Sequence, residues 1–345
     1  MQRMREARLW LGVALAAMVA ALAPSEGLAK RPQPPPAEAP PPPPPMPGVG
    51  LAERFVTEAG AFESYMRDAG AISPAFASAG GVSSALRTGA AYEPGQLRRG
   101  AVAYAAITAL GDAAFVADVR RAGQTAQGRY AVIARIYANP ASVLDFQDAA
   151  GAAGMAKAAL VSPGLQLFNQ GDAVRLAAYS IQHQSWSLAD VADRDGRASA
   201  VKSLSNTPHP PSADETAALE RQITSGAAPA DPADPPYSPM VVRALALAAL
   251  AAIGQAGDDA QTNLGWLTDD YYLDHCLAEA KLSLYECLAV ARPNYEDVFC
   301  LGQHAMKDTG ACVARSAGGV TPLQIATRAI PVPALQRRAV RRRHS

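Results

Sequence analysis

Residues 276–313 read CLAEAKLSLYECLAVARPNYEDVFCLGQHAMKDTGACV, and all four cysteines of the chain fall inside them. Leu273, Leu277, Ala280, Leu284, Leu288 and Ala291 keep helical spacing up to Arg292-Pro293, where proline ends the run. Thr268, followed by Asp269 and Asp270, offers a cap and a favourable acidic first turn for this helix. After the break, Asn294 with Asp297 three residues on reads as a second helix start. Val298, Leu301 and Ala305 keep one face apolar, and Gly310 is placed to stop this helix. Two helices joined by so few residues run antiparallel.

Distance from the turn selects the sulfur pairs. Cys287 and Cys300 lie almost equally far from Pro293, and so, further out, do Cys276 and Cys312. Equidistant positions face each other in an antiparallel pair, so the predicted bridges are nested, Cys287 with Cys300 and Cys276 with Cys312. Bridging Cys276 to Cys287 along one helix is excluded: eleven residues span about 16 Å, against a limit of about 7 Å between bridged Cα atoms. The arrangement is similar to twin-cysteine helical hairpins, in which two C-x9-C helices are bridged in this nested way. Here the spacers are ten and eleven residues, and the resemblance covers this segment alone; it implies a staple and no activity.

Bridged cysteines suit an oxidising compartment, and the N-terminus points the same way. Arg3, Arg5 and Arg8 precede the apolar run LWLGVALAAMVAALA, and Gly27-Leu28-Ala29 supplies small residues for cleavage. This is the pattern of a secretory signal cleaved after Ala29, giving a periplasmic or secreted protein; retention as an N-terminal anchor is the alternative. No cysteine near the cleavage region suggests lipid attachment. Residues 30–50, KRPQPPPAEAPPPPPPMPGVG, form a polyproline spacer, since proline fixes φ and lacks the N–H that helix and sheet require.

The rest reads as all-α, in two helical lobes joined by a Pro-rich connection. The N-terminal lobe covers 51–204, the connection 205–238 and the C-terminal lobe, with its stapled hairpin, 239–315; residues 316–345 form a tail. Predicted helices begin near 51 and at Pro94, with shorter ones at 112–122 and 129–138 and two more at 141–160 and 171–192, the last opening after Asn169-Gln170-Gly171-Asp172. One further helix, ADETAALERQI, is expected inside the connection. MVVRALALAALAAI at 240–253 comes closest to a membrane span, but its length and Arg243 argue for a buried helix and for no span after signal cleavage. Tyr92, Pro94 and Arg98 align without gaps on Tyr237, Pro239 and Arg243, a shared helix-start design.

Charge is asymmetric. After Ala29 the chain carries 28 basic against 29 acidic groups, and its last ten residues hold Arg337, Arg338, Arg341, Arg342 and Arg343 with no acid. This tail is a candidate arm for an anionic surface component of the envelope. Nucleic acid is not an expected partner outside the cytoplasm, and no cofactor is implied.

Catalytic patterns are sparse. Ser199-Ala200-Val201-Lys202 has the S-x-x-K form of penicillin-recognising acyl enzymes but lacks the K-T-G that accompanies it. Asp193-Arg194-Asp195-Gly196 reads as a polar turn, because Val191 and Lys202 occupy the positions that a calcium loop gives to acids. Cys300-x3-His304 with His275 beside Cys276 outlines a zinc site, which bridged thiols would preclude, so no metal is expected. His183, beside Trp186 on an expected helix, is the one general acid or base to weigh; its reading as a partly buried structural histidine is the simpler one. The sequence therefore favours an exported bacterial envelope protein acting as a structural or interaction module, with an envelope protein among the candidate partners. An envelope enzyme with a site assembled near His183 is the alternative.

Overall fold

The computed structural model describes residues 48–225, 230–258 and 264–321; the signal segment, nearly all of the polyproline spacer and the basic tail lie outside them. The described residues are helical without strands, apart from two isolated bridges, Leu51 with Ala256 and Asp190 with Pro293. In chain order the helices are α1 (Glu53–Gly70), α2 (Ala79–Ala90), α3 (Pro94–Ala109), α4 (Ala113–Ala122), α5 (Ala126–Ala138), α6 (Ala149–Ser180), the single turn α7 (Ser185–Leu188), α8 (Arg194–Ser205), α9 (Ala213–Ser225), α10 (Pro239–Ala252) and α11 (Tyr271–Val290). A continuous last arm follows: α12 (Asn294–Cys300), a π-helical stretch (Leu301–Asp308) and α13 (Thr309–Ser316).

The helix α6 is the axis of the fold. At 32 residues it is about 48 Å long, and α1, α3, α10 and the last arm all pack on it. The sequence suggests two helices here, with a break before Gly171-Asp172. Both residues instead lie inside α6, because their side chains, or the lack of one, serve the packing. A Cβ on Gly171 would collide with the backbone of Lys307, and one on Gly302 with the backbone of Arg175. One turn-pair further along, a Cβ on Gly164 would sit 2.8 Å from Ala314 N, and one on Gly310 2.5 Å from Gly164 O. The last arm and α6 thus meet antiparallel, backbone against backbone. Asp172 accepts from Lys307 across this seam at 2.5 Å and from Arg175 of its own helix at 2.9 Å, and the Lys307 bond holds its carboxyl below the usual range.

Gly310 therefore does not end a helix. The apolar and small residues of the arm recur every four positions, Gly302, Met306, Gly310 and Ala314. A four-residue repeat drifts off a 3.6-residue turn; the wider i→i+5 winding over Leu301–Asp308 takes up that drift and keeps the stripe on α6.

The stapled hairpin is present with the predicted nesting: Cys276–Cys312 and Cys287–Cys300, each with Cα atoms 5.7 Å apart. Its caps differ from expectation. Asp270, not Thr268, accepts from Leu273 N at 2.9 Å, while Thr268 is buried and donates to Gly265 O. Asn294 does not cap the second arm; its side-chain amide donates to Trp186 O and Ala189 O, tying the turn to the segment before α8. Asp297 pairs with Arg197 of α8 rather than closing a capping box.

Four arginines hold the hairpin at both ends. Arg98 and Arg243, the aligned pair from α3 and α10, converge on the start of α11: Arg98 reaches Asp269, Asp274 and Thr268 O, and Arg243 reaches Asp270 at 3.0 Å. The aligned tyrosines diverge, Tyr92 bonding Thr309 and Tyr237 bonding Ala233 O. At the closed end, Arg194 donates to Ala289 O and Ala291 O, and Arg197 to Leu288 O, satisfying carbonyls that a helix C-terminus leaves open. The segment read as a polar turn, 193–196, is the start of α8, with Asp193 accepting from Gly196 N at 2.8 Å.

The two lobes share one hydrophobic core. Met240 to Ala252 of α10 is buried almost throughout, against α3 and α6; among the described residues no single helix is long and apolar enough to cross a membrane. The α9 helix of the connection packs on α1, where Ser64 and Arg67 both bond Glu215. Burial pulls the Glu215 carboxyl upward, but the bonds from Ser64, Ser212 and Arg67 outweigh it and hold it at about 2.

Two outcomes follow for stability. Gly171→Ala and Gly302→Ala are each expected to destabilise by roughly 1–3 kcal/mol through overpacking, whereas Gly80→Ala, with open space on α2, is expected to stabilise by up to about 1 kcal/mol; denaturant titration reads the opposite signs. Serine replacement of both cysteines should cost about 3 kcal/mol for the inner bridge and about 4 for the outer one, from the loops each closes.

Candidate functional site

The residues singled out in the sequence scatter in space. Ser199 and Lys202 are exposed on α8. His275 pairs with Glu279 and His304 with Asp308, each one turn apart on its own helix, while Cys276 and Cys300 are bridged to Cys312 and Cys287. Among the described residues no group of three or more His, Cys, Asp or Glu is placed to hold a metal ion. His183 is not on a helix: it lies exposed in the turn after α6, and among the described residues it forms no ion pair. Trp186 nearby donates its indole N–H to Gln184 Oε1. The arginines at 337, 338, 341, 342 and 343 lie outside the described residues.

What the structure does assemble beside that turn is an aromatic groove of ≈ 310 Å³. The end of α6, the end of α11 and the start of the last arm form its walls, and the inner disulfide lies in it. Tyr179 and Phe299 meet edge to face at 6.3 Å; Tyr295 and Val290 complete the apolar lining. Val290 is 75% exposed and Tyr179 55%, a large apolar cost left unpaid in the free chain. Leu176, three residues before Tyr179 on α6, extends the exposed apolar surface. The one charged lining residue is Glu296, which accepts from Arg292 N at 2.8 Å. The groove thus offers shape and apolar area and no convergence of titratable groups. The physical origin is the staple: Cys287–Cys300 fixes the spacing of two helix ends, and the gap beside it is the groove. No sequence pattern signals it, because the wall from α6 lies more than a hundred positions from the two walls that the hairpin supplies.

A second arrangement has the elements of a nucleophile without access. Lys281 of α11 is 4% exposed and donates to Ala90 O at 2.7 Å and Ser205 Oγ at 2.9 Å, with the Tyr92 ring 3.4 Å from its nitrogen. Burial drives its pKa well below the ordinary 10.5, and a lysine–serine pair is a known catalytic combination. Ser205 is 2% exposed, however, and its hydroxyl donates to Val201 O. Tyr65, whose ring lies 4.6 Å from that of Tyr92, closes the cluster with bonds to Gly89 O and Ala305 O. This is a polar knot joining α1, α2, α8 and the hairpin. Both acceptors of Lys281 keep another partner without it, since Ala90 O also accepts from Tyr92 N.

That depressed pKa makes a signed prediction. Between the folded pKa of Lys281 and 10.5, the unfolded chain binds the extra proton, so stability rises with pH there and the burial cost is fully present below the window. Burial raises the phenols of Tyr65 and Tyr92, so their contribution begins only above the ordinary 10.0. Lys281→Met is expected to flatten the slope of unfolding free energy measured between about pH 7 and 9.5, at little or no loss of stability; an unchanged slope contradicts the assignment.

Compared with protein-family models, with curated proteins and with solved structures, the chain finds no match.

Proposed function

We propose that this chain is an exported bacterial envelope protein that acts as a non-enzymatic interaction module, and that its partner is an envelope protein presenting a short apolar segment to the groove of Tyr179, Tyr295 and Phe299. The observation that carries this reading is the groove itself, three exposed or half-exposed aromatic side chains and Val290 held apart by a covalent brace. Exposed apolar surface of this kind marks a place where a partner adds burial, and aromatic anchors dominate the energetics of such contacts. Two disulfides support an oxidising compartment, and the leader pattern before Ala29 supports export. The arginines from 337 to 343 add a second, salt-screened contact to an anionic surface component of the envelope.

Site-specific photocrosslinking in cells that make the protein tests this. A benzophenone side chain at Tyr179 or Tyr295 is expected to give one discrete adduct, absent when the probe replaces the exposed Tyr130 and lost when Phe299→Arg is combined with it. The same adduct from Tyr130, or none from the groove positions, overturns the proposal.

A further inference from the structure

On another part of the surface a cleft of ≈ 300 Å³ opens between α1, α3 and α6. Its floor is apolar: Phe62, Met66 and Pro163, with the Tyr104 ring tilted against Phe62 at 5.4 Å. Besides Arg67, which also lines it, three polar side chains reach it, one from each helix: the half-buried carboxyl of Glu63, the phenol of Tyr104 and the amide of Gln166 at the rim. None of the three makes a side-chain hydrogen bond within the described residues. Their neighbours, by contrast, are engaged: Arg67 is held by Glu215 and by Asp68 at 3.3 Å. Three acids, Glu63, Asp68 and Glu215, thus face one guanidinium.

We propose that this cleft is a binding site for a primary ammonium compound with an apolar or aromatic body. An ammonium carries three N–H donors and no acceptor, and the cleft offers three acceptors in the Glu63 carboxylate, Tyr104 Oη and Gln166 Oε1. Its charge completes the local balance that Arg67 leaves short. The partly exposed ring of Tyr104 favours a nearby cation, and the apolar floor takes the body of the ligand. The volume lies at the small end of the range for small-molecule sites, where a few placed polar groups set orientation. A divalent metal fits less well, since hard cations require six or more oxygen ligands and the floor supplies none. Burial raises the Glu63 carboxyl, Arg67 opposes that shift and Glu215 adds to it; burial likewise raises the Tyr104 phenol, and Glu63 adds to that. A bound cation reverses the cost at Glu63, so binding weakens as pH falls through the raised pKa of that carboxyl.

The site is independent of the aromatic groove and is tested without it. Isothermal titration of the full-length protein with 2-phenylethylamine, and separately with the neutral 2-phenylethanol, reads the charge requirement directly. The amine is expected to bind saturably and at least about tenfold tighter than the alcohol. Glu63→Gln, which keeps the shape, is expected to remove at least about tenfold of the amine affinity and leave the alcohol unchanged. Tyr104→Phe should weaken the amine several-fold, and Glu279→Gln on the distant α11 should leave it as it was. Thermal unfolding of each variant confirms that it is folded. Equal binding of amine and alcohol, no saturable binding of the amine, or a Glu63→Gln protein that binds the amine as before overturns the proposal.

Discussion

The contact that orders everything else is the seam between α6 and the last arm, where Gly164 and Gly171 meet Gly310 and Gly302 with no side chain between the backbones. Removing four Cβ atoms brings two helix axes close enough for main-chain atoms to touch, which gains dispersion contact along the seam and leaves no room for an alternative register. It also dictates the odd features around it. The π stretch from Leu301 to Asp308 keeps a four-residue stripe on one side, and Asp172 lies inside α6 because Lys307 of the arm lies opposite.

The disulfides act on this seam indirectly. They fix α11 to the arm, and the arm fixes both to α6, so the hairpin is held covalently on one side and by close packing on the other. The arginines supply what neither provides, partners for the ends of α11: Arg98 and Arg243 engage acids where the helix dipole is positive, and Arg194 and Arg197 engage carbonyls where it is negative. The Arg197–Asp297 pair is nearly sealed from water. Burial pushes Asp297 above the usual carboxylate range against the pull of Arg197, so this contact is better understood as fixing the position of α8 than as a large net stabiliser.

Much of the fold could be read from residues that act locally. Proline at the first turn, as at Pro94 and Pro239, gave helix starts, and equal distances from Pro293 gave the sulfur pairing. Several failures share one cause, which is that small and polar residues near Gly have two meanings. Gly171-Asp172 and Gly310 carry the chemistry of helix ends, yet distant backbones claim them for close packing. The α2 helix, with its Gly- and Ser-rich sequence AGGVSSALRTGA, has no clear periodic signal, and Asp193–Gly196 reads as a turn, because the contacts that stabilise these helices lie on the hairpin. The groove and the ammonium cleft were invisible for the same reason. The groove takes its walls from α6 and the hairpin and the cleft from α1, α3 and α6, and neither leaves a spacing pattern in the chain.

The surfaces with chemical potential both lie on α6, one near its C-terminal end and one beside Pro163, so the rigidity of that helix positions both. Native-state hydrogen exchange tests this account most directly. If the glycine seam holds the fold together, amides of α6 from Leu160 to Ala178 and of the arm from Leu301 to Ala314 exchange only through complete unfolding, with one common free energy. Exchange of the arm at a clearly lower free energy than α6 would show that the hairpin opens by itself, and would contradict the seam as the contact on which the structure depends.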